Sequence, residues 1–186
     1  MKKLLQIYNK SERLVIGLMS GTSLDGVDIV LIRIQGSGFN TSFEILAFET
    51  AAISDVIKKQ IKQCFNGNTQ EICRLNYDLG YLFADQILQF LSKYSVKPED
   101  VDLIGSHGQT IYHCHQHCTL QIGEPEIIAQ KTNTVVISNF RAADIAVGGS
   151  GAPLVPYLDY ILFHDTHQKI ALQNLGGIGN VTCISG

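Results

Sequence analysis

The stretch Leu14–Asp28, Leu-Val-Ile-Gly-Leu-Met-Ser-Gly-Thr-Ser-Leu-Asp-Gly-Val-Asp, constrains this chain more than any other. The apolar run Leu14 to Met19 reads as a buried strand, and a second run follows from Val27 to Ile34. Between them lie Ser20, Gly21, Thr22, Ser23, Leu24, Asp25 and Gly26. A loop of small and hydroxyl residues leaves backbone N–H groups unshielded, so it can face an anion such as a nucleotide phosphate. Asp25 and Asp28 put carboxylates beside it, where a phosphate would bring Mg²⁺. The same pattern also suits an ordinary hairpin with a polar tip, and spacing alone does not separate the two.

The rest of the chain builds outward from this hairpin. Ser42 to Ala51 reads as a third strand after the Gly36-Ser37-Gly38 turn, completing an antiparallel meander. Ser54 caps a helix carrying Val56, Ile57, Ile61, Cys64 and Phe65 at helical spacing. A longer helix runs from Thr69 to about Tyr94 on a stripe that includes Leu75, Leu79, Phe83, Ile87 and Leu91. Then come a short strand, Val101 to Ser106, and an edge strand, Thr119 to Gly123. A helix from Glu124 to Lys131 with Pro125 in its first turn leads to a buried strand, Thr134 to Ser138. Gly148-Gly149-Ser150-Gly151 opens a helix from about Pro153 to Phe163. Lys169 to Leu175 and Val181 to Ile184 form a last hairpin around Gly176-Gly177-Ile178-Gly179-Asn180.

This order predicts an α/β fold: a ribonuclease-H-like domain over residues 1–165, with a mixed sheet flanked by helices. Residues 166–186 repeat the opening design and read as the first hairpin of a second such domain. A chain that stops there is expected to be a fragment or a shortened product.

Composition narrows the partners. Net charge is −3 and 17% of the 186 residues are charged, so nothing points to nucleic acid or an anionic membrane surface. No apolar run reaches the ~20 residues of a bilayer span. Met1 to Leu5 briefly imitates a signal peptide, but Tyr8 to Arg13 interrupts it, so a cytoplasmic protein is expected. Five cysteines without a secretion signal argue against a disulfide framework. Cys64, Cys73 and Cys183 are expected in the core.

Polar residues collect where strands end, the usual place for a ligand in an open α/β sheet. They are the opening loop; His107, Gln109 and Thr110; Asn139, Arg141 and Asp144; and Asn174 with Gly176 and Gly177. Asp144 can accept a proton from a hydroxyl or a water, or it can simply brace a turn. His107 is open in the same way, between a substrate contact or general acid and a satisfied, partly buried histidine. Ser150 lacks the flanking pattern of a nucleophile elbow, which argues against a hydrolase. His113 to Cys118 packs metal-binding residue types closely, yet no second ligand pair appears elsewhere, and a solvated loop explains it as well.

Taken together, these motifs resemble the anhydro-N-acetylmuramic acid kinases. The matching segments are Ile16 to Asp28, Gly105 to Thr110, Leu120 to Gly123, Asn139-Phe140-Arg141 with Asp144-Ile145-Ala146, Gly148-Gly149, Gly151 to Pro156, and Asn174 to Asn180. The resemblance implies the actin-like ATPase form of the fold, with two domains closing over ATP and Mg²⁺, usually in a homodimer. It implies cleavage of the 1,6-anhydro bond of a recovered cell-wall sugar with phosphorylation to N-acetylmuramic acid 6-phosphate. Gly21, Thr22, Ser23, Leu24, Asp25, Gly26, Val27 and Asp28 would form the first phosphate loop, with Asp25 near the metal. Gly176 and Gly177 would begin the second. Asp144 would be the catalytic base, with His107, Gln109 and Arg141 on the sugar side.

Three departures from the family pattern stand out. Ala142 and Ala143 replace usual arginines, Ser150 a glutamine and Glu124 an aspartate. The family chain is also about twice as long, so this chain alone is expected to bind ATP weakly and turn over little. A degenerate, non-catalytic sugar- or partner-binding domain of the same fold is the alternative.

Overall fold

A computed structural model describes residues 2–164, 167–175 and 179–185. Strand β1 (Glu12–Ser20) and strand β2 (Val27–Gln35) pair antiparallel from Glu12 opposite Gln35 to Ser20 opposite Val27. Strand β3 (Ser42–Ala51) adds antiparallel to β2. Alternation puts Ile16, Leu18, Val27, Ile29 and Leu31 on one face, all buried. Helix α2 (Asp55–Cys64) is capped by Ser54, whose hydroxyl accepts the Ile57 N–H. Helix α3 (Thr69–Lys93) begins with a reciprocal capping box between Asn68 and Glu71. Its stripe of Leu75, Leu79, Phe83, Ile87 and Leu91 fills the core against the sheet. Burying each such side chain contributes on the order of 1.5–3 kcal/mol.

Strand β4 (Leu103–Cys114) runs parallel beside β1 and turns back through strand β5 (Cys118–Ile122). The short strand β6 (Val135–Ile137) follows helix α4 (Pro125–Thr132) and pairs parallel with the start of β4. The sheet order is β3-β2-β1-β4-β5, with β6 also on β4, as expected for a ribonuclease-H-like mixed sheet. Helix α5 (Phe140–Ala146), helix α6 (Val155–Phe163) and a separate two-stranded sheet of β7 (Ile170–Asn174) and β8 (Asn180–Ile184) complete the chain.

Several expectations need correction. The strand expected at Val101 to Ser106 continues to Cys114, because Gly108 (φ +71°) absorbs a bulge rather than ending the strand. Consequently His113 to Cys118 is a tight strand-to-strand turn, and His115, Gln116, His117 and Cys118 are exposed in it, in keeping with a solvated connection between strands. Strand β6 is only partly buried. Helix α1 (Lys2–Tyr8) was not anticipated; Arg13 closes its end by donating to the carbonyls of Ile7 and Tyr8, both at 2.9 Å. Cys64 is buried as expected, but Cys73 and Cys183 are exposed. No helix among the described residues is long and apolar enough to cross a membrane.

Candidate active site

The opening loop is built by two local devices. Leu24 takes a left-handed conformation (φ +58°), donates its N–H to Gly21 O, and plugs the core at 4% exposure. That anchor leaves Thr22, Ser23 and Asp25 exposed, and their N–H groups bond no other described backbone group. Gly26 packs tightly against β3. A Cβ there would lie 2.6 Å from Thr50 Cγ2 and 2.7 Å from Ala51 O on β3. Val27 is core, and Asp28 points outward, where Thr50 Oγ1–H donates to its carboxylate at 2.6 Å. Asp25 makes no hydrogen bond or ion pair among the described residues. Its carboxylate therefore fits an Mg²⁺ brought by a nucleotide, since that ion is held by one or two carboxylates plus phosphates. Gly176 and Gly177 lie outside the described residues.

The bulge in β4 creates the second part of the site. Between β1 and β4 the register steps from Leu18 opposite Ser106 to Ser20 opposite Gln109. Alternation already puts His107 on the half-open face with Leu103 and Gly105, and the extra residue after it sends Gln109 inward. Gln109 is 0% exposed; its Oε1 accepts Ser20 Oγ–H at 2.6 Å, and its amide N–H donates to Thr110 O. Expected on the sugar side, Gln109 is instead sealed beneath Ser20 and ties the opening loop's base to β4.

His107 meets Arg141 across the parallel β4–β6 junction. Arg141 Nε–H donates to His107 Nε2 at 2.8 Å. A guanidinium only donates, so Nε2 is the acceptor and the ring proton sits on Nδ1, which donates to Gly108 O at 2.8 Å. Burial pushes the His107 imidazole below its usual value; the hydrogen bond to Gly108 opposes this and the Arg141 charge adds to it. Burial also lowers Arg141. Phe140, at the start of α5, packs over Gly105.

From Arg141 the network passes through one glycine to Asp144. Arg141 Nη1–H donates to Gly151 O at 2.8 Å, and Gly151 N–H donates to Asp144 Oδ2 at 2.7 Å. Gly149 N–H closes on the Asp144 backbone carbonyl at 2.8 Å. A Cβ at Gly149 would lie 2.2 Å from Asp144 Oδ2, so this glycine is required for the carboxylate to lie where it does. The Gly148–Gly151 loop is therefore wrapped on Asp144, and Asp144 itself stands in the last turn of α5 rather than in a loop. Its Oδ1 accepts no hydrogen bond among the described residues. Ala142 and Ala143 are exposed on the same helix.

His107, Arg141 and Asp144 thus form one hydrogen-bonded network, and the separate Ser20–Gln109 pair ties the base of the opening loop to β4. The backbone of Gly151 is the functional group that residue types alone did not reveal. His113 was also missed as a neighbour of this site: its ring borders Gly151, and its Nδ1 lies 3.3 Å from Thr119 Oγ1. Among the described residues no group of three or more His, Cys, Asp or Glu is placed to hold a metal ion.

A family profile described as anhydro-N-acetylmuramic acid kinase matches residues 13–186. A protein of that name from Caldanaerobacter subterraneus subsp. tengcongensis is 49% identical over 99% of this chain and 50% of its own length. Another from Bacillus thuringiensis subsp. konkukian is 50% identical over 91% of this chain and 47% of its own. The chain spans about half the length of the curated relatives it matches. A match over nearly all of its residues, together with the fold, means that the chain belongs to the anhydro-N-acetylmuramic acid kinase family.

Proposed function

We propose that this chain carries one phosphate loop and the sugar-side acid–base apparatus of an ATP-dependent kinase. The kinase opens the 1,6-anhydro ring of anhydro-N-acetylmuramic acid and yields N-acetylmuramic acid 6-phosphate. The observation that carries this reading is the hydrogen-bonded path from His107 through Arg141 and Gly151 to Asp144. It fixes one carboxylate oxygen of Asp144 and leaves the other for a water proton. In that step Oδ1 takes a proton from the water, whose oxygen bonds to the anomeric carbon. The bond from that carbon to the 6-oxygen breaks, and the 6-oxygen takes the γ-phosphoryl group of ATP, with ADP as the leaving group. His107 and Arg141 orient the sugar, and Gln109 acts behind them as a positioning residue.

The exposed N–H groups between Gly21 and Asp28, with Gly176 and Gly177, are assigned to the phosphates, and Asp25 to the metal. ATP with Mg²⁺ supplies the phosphoryl group and the neutralising charge. The same reading divides the chain at residues 165 and 166. It makes the whole protein a cytoplasmic homodimer of cell-wall recycling and amino-sugar breakdown.

The test uses a polypeptide of the relatives' full length that contains this segment. Asp144→Asn is expected to cut turnover by about 10²–10⁴-fold while sugar affinity changes by less than about threefold. Unchanged turnover would remove Asp144 as the base. If the unaltered polypeptide bound sugar but made no ATP-dependent 6-phosphate, the chain would be a binding domain instead.

A further inference from the structure

The turn that closes β4 onto β5 brings two free cysteines face to face. Cys114 and Cys118 are direct partners in the antiparallel ladder, and the turn between them is closed by His117 N–H on Cys114 O at 3.1 Å. Residues directly opposite in such a ladder project from the same side of the sheet, with Cα atoms about 4.5–5.5 Å apart. A disulfide needs Cα atoms roughly 4.4–6.8 Å apart, a range in which directly paired strand residues fall. His113, one residue earlier, pairs with Thr119 and therefore faces the other side, toward Gly151. Among the described residues the pair has no third ligand, which suits oxidation rather than metal capture.

We propose that Cys114 and Cys118 are a reversible redox site of this chain, interconverting between dithiol and disulfide. Access sets the order of events: Cys118 is exposed and Cys114 half-buried. Cys118, as thiolate, attacks a small-molecule disulfide of the glutathione class, forming a mixed disulfide and releasing one small thiol. The Cys114 sulfur, losing its proton, then attacks the Cys118 sulfur, forming the internal bond and releasing the second thiol. Two electrons and two protons leave the protein, and the small disulfide is reduced to two thiols. Closure ties together the end of the hairpin that carries His113, and so stiffens the strand bordering the Gly151 loop.

The experiment uses the 186-residue chain in a glutathione redox buffer without denaturant. Expected is a monomer about 2 Da lighter than the reduced chain, with a peptide map linking Cys114 to Cys118, fully reversed by excess reduced glutathione. The same product is expected with Cys73→Ser and Cys183→Ser together, since neither exposed thiol takes part. Cys114→Ser is expected to stop at one glutathione on Cys118. Chains that carry glutathione on both cysteines without an internal bond would overturn the proposal. So would a bond that forms only in denaturant, or only between molecules. The map of the unaltered chain decides the matter even if a variant fails to fold.

Discussion

His107 shows how one residue's surroundings set its chemistry. Its ring is half-buried, neutral, and held at both nitrogens, by Gly108 O and by the Arg141 guanidinium. Because its folded value lies below the ordinary imidazole value of about 6.5, the unfolded chain takes up the proton first as pH falls. The stability that His107 contributes is therefore fully present above about pH 6.5 and is lost as pH falls toward its depressed folded value. The loss is no steeper than about 1.4 kcal/mol per pH unit, the limit for a single proton. Urea unfolding between pH 7.5 and 5 is expected to give a flatter profile for His107→Gln than for the unaltered chain. Parallel profiles would mean that the ring is not buried beside the Arg141 charge as described.

At the level of elements, the contact between α3 and α4 is decided by Gly80. A Cβ there would lie 2.9 Å from Glu124 O and 3.1 Å from Glu124 N, both backbone atoms that cannot rotate away. Asn76 holds that same turn in place: its carbonyl accepts Glu124 N–H at 3.0 Å, and its side chain accepts Gly123 N–H at 2.7 Å. Alanine would gain about 0.8–1 kcal/mol of helix propensity. Overpacking against fixed backbone costs about 1–3 kcal/mol, and here it wins. Gly80→Ala is expected to lower the urea midpoint with an unchanged slope; a raised midpoint would mean that α4 shifts freely. The sequence made such elements readable unevenly. Strands β1 to β3 were legible because their apolar runs are bounded by turn residues, and α2 and α3 because their stripes hold helical spacing. The second half of β4 was not, because its polar residues face the site and Gly108 shifts their alternation. Helix α5 escaped notice because it is short and starts after a left-handed Asn139. His107, Arg141 and Asp144 could be named from residue type, but their joining through the backbone of Gly151 depends on β4–β6 pairing that separates His107 and Arg141 by 34 positions.

Across the whole molecule the two sheets are unequal. The main sheet is six-stranded, and β1, β2 and β4 hold several fully buried side chains against α3. The β7–β8 ladder has two strands, and of its described side chains only Ile184 is buried. An isolated two-stranded ladder is marginal in water, because few apolar contacts offset the entropy of ordering its backbone. Helix α6, the main neighbour of β8, adds little. It is apolar along most of its length yet contains no buried residue, with Tyr157, Leu158 and Phe163 all exposed. Native-state hydrogen exchange is therefore expected to show two levels in this chain. Amides of Ile16, Leu18 and Ile29 should exchange only through global unfolding, and those of Leu172 and Thr182 through a local opening of much lower free energy. Low urea should leave the second group's rates unchanged while accelerating the first, since local opening exposes little surface. A single exchange level shared by both sheets would mean instead that β7, β8 and α6 fold as one cooperative unit with the rest.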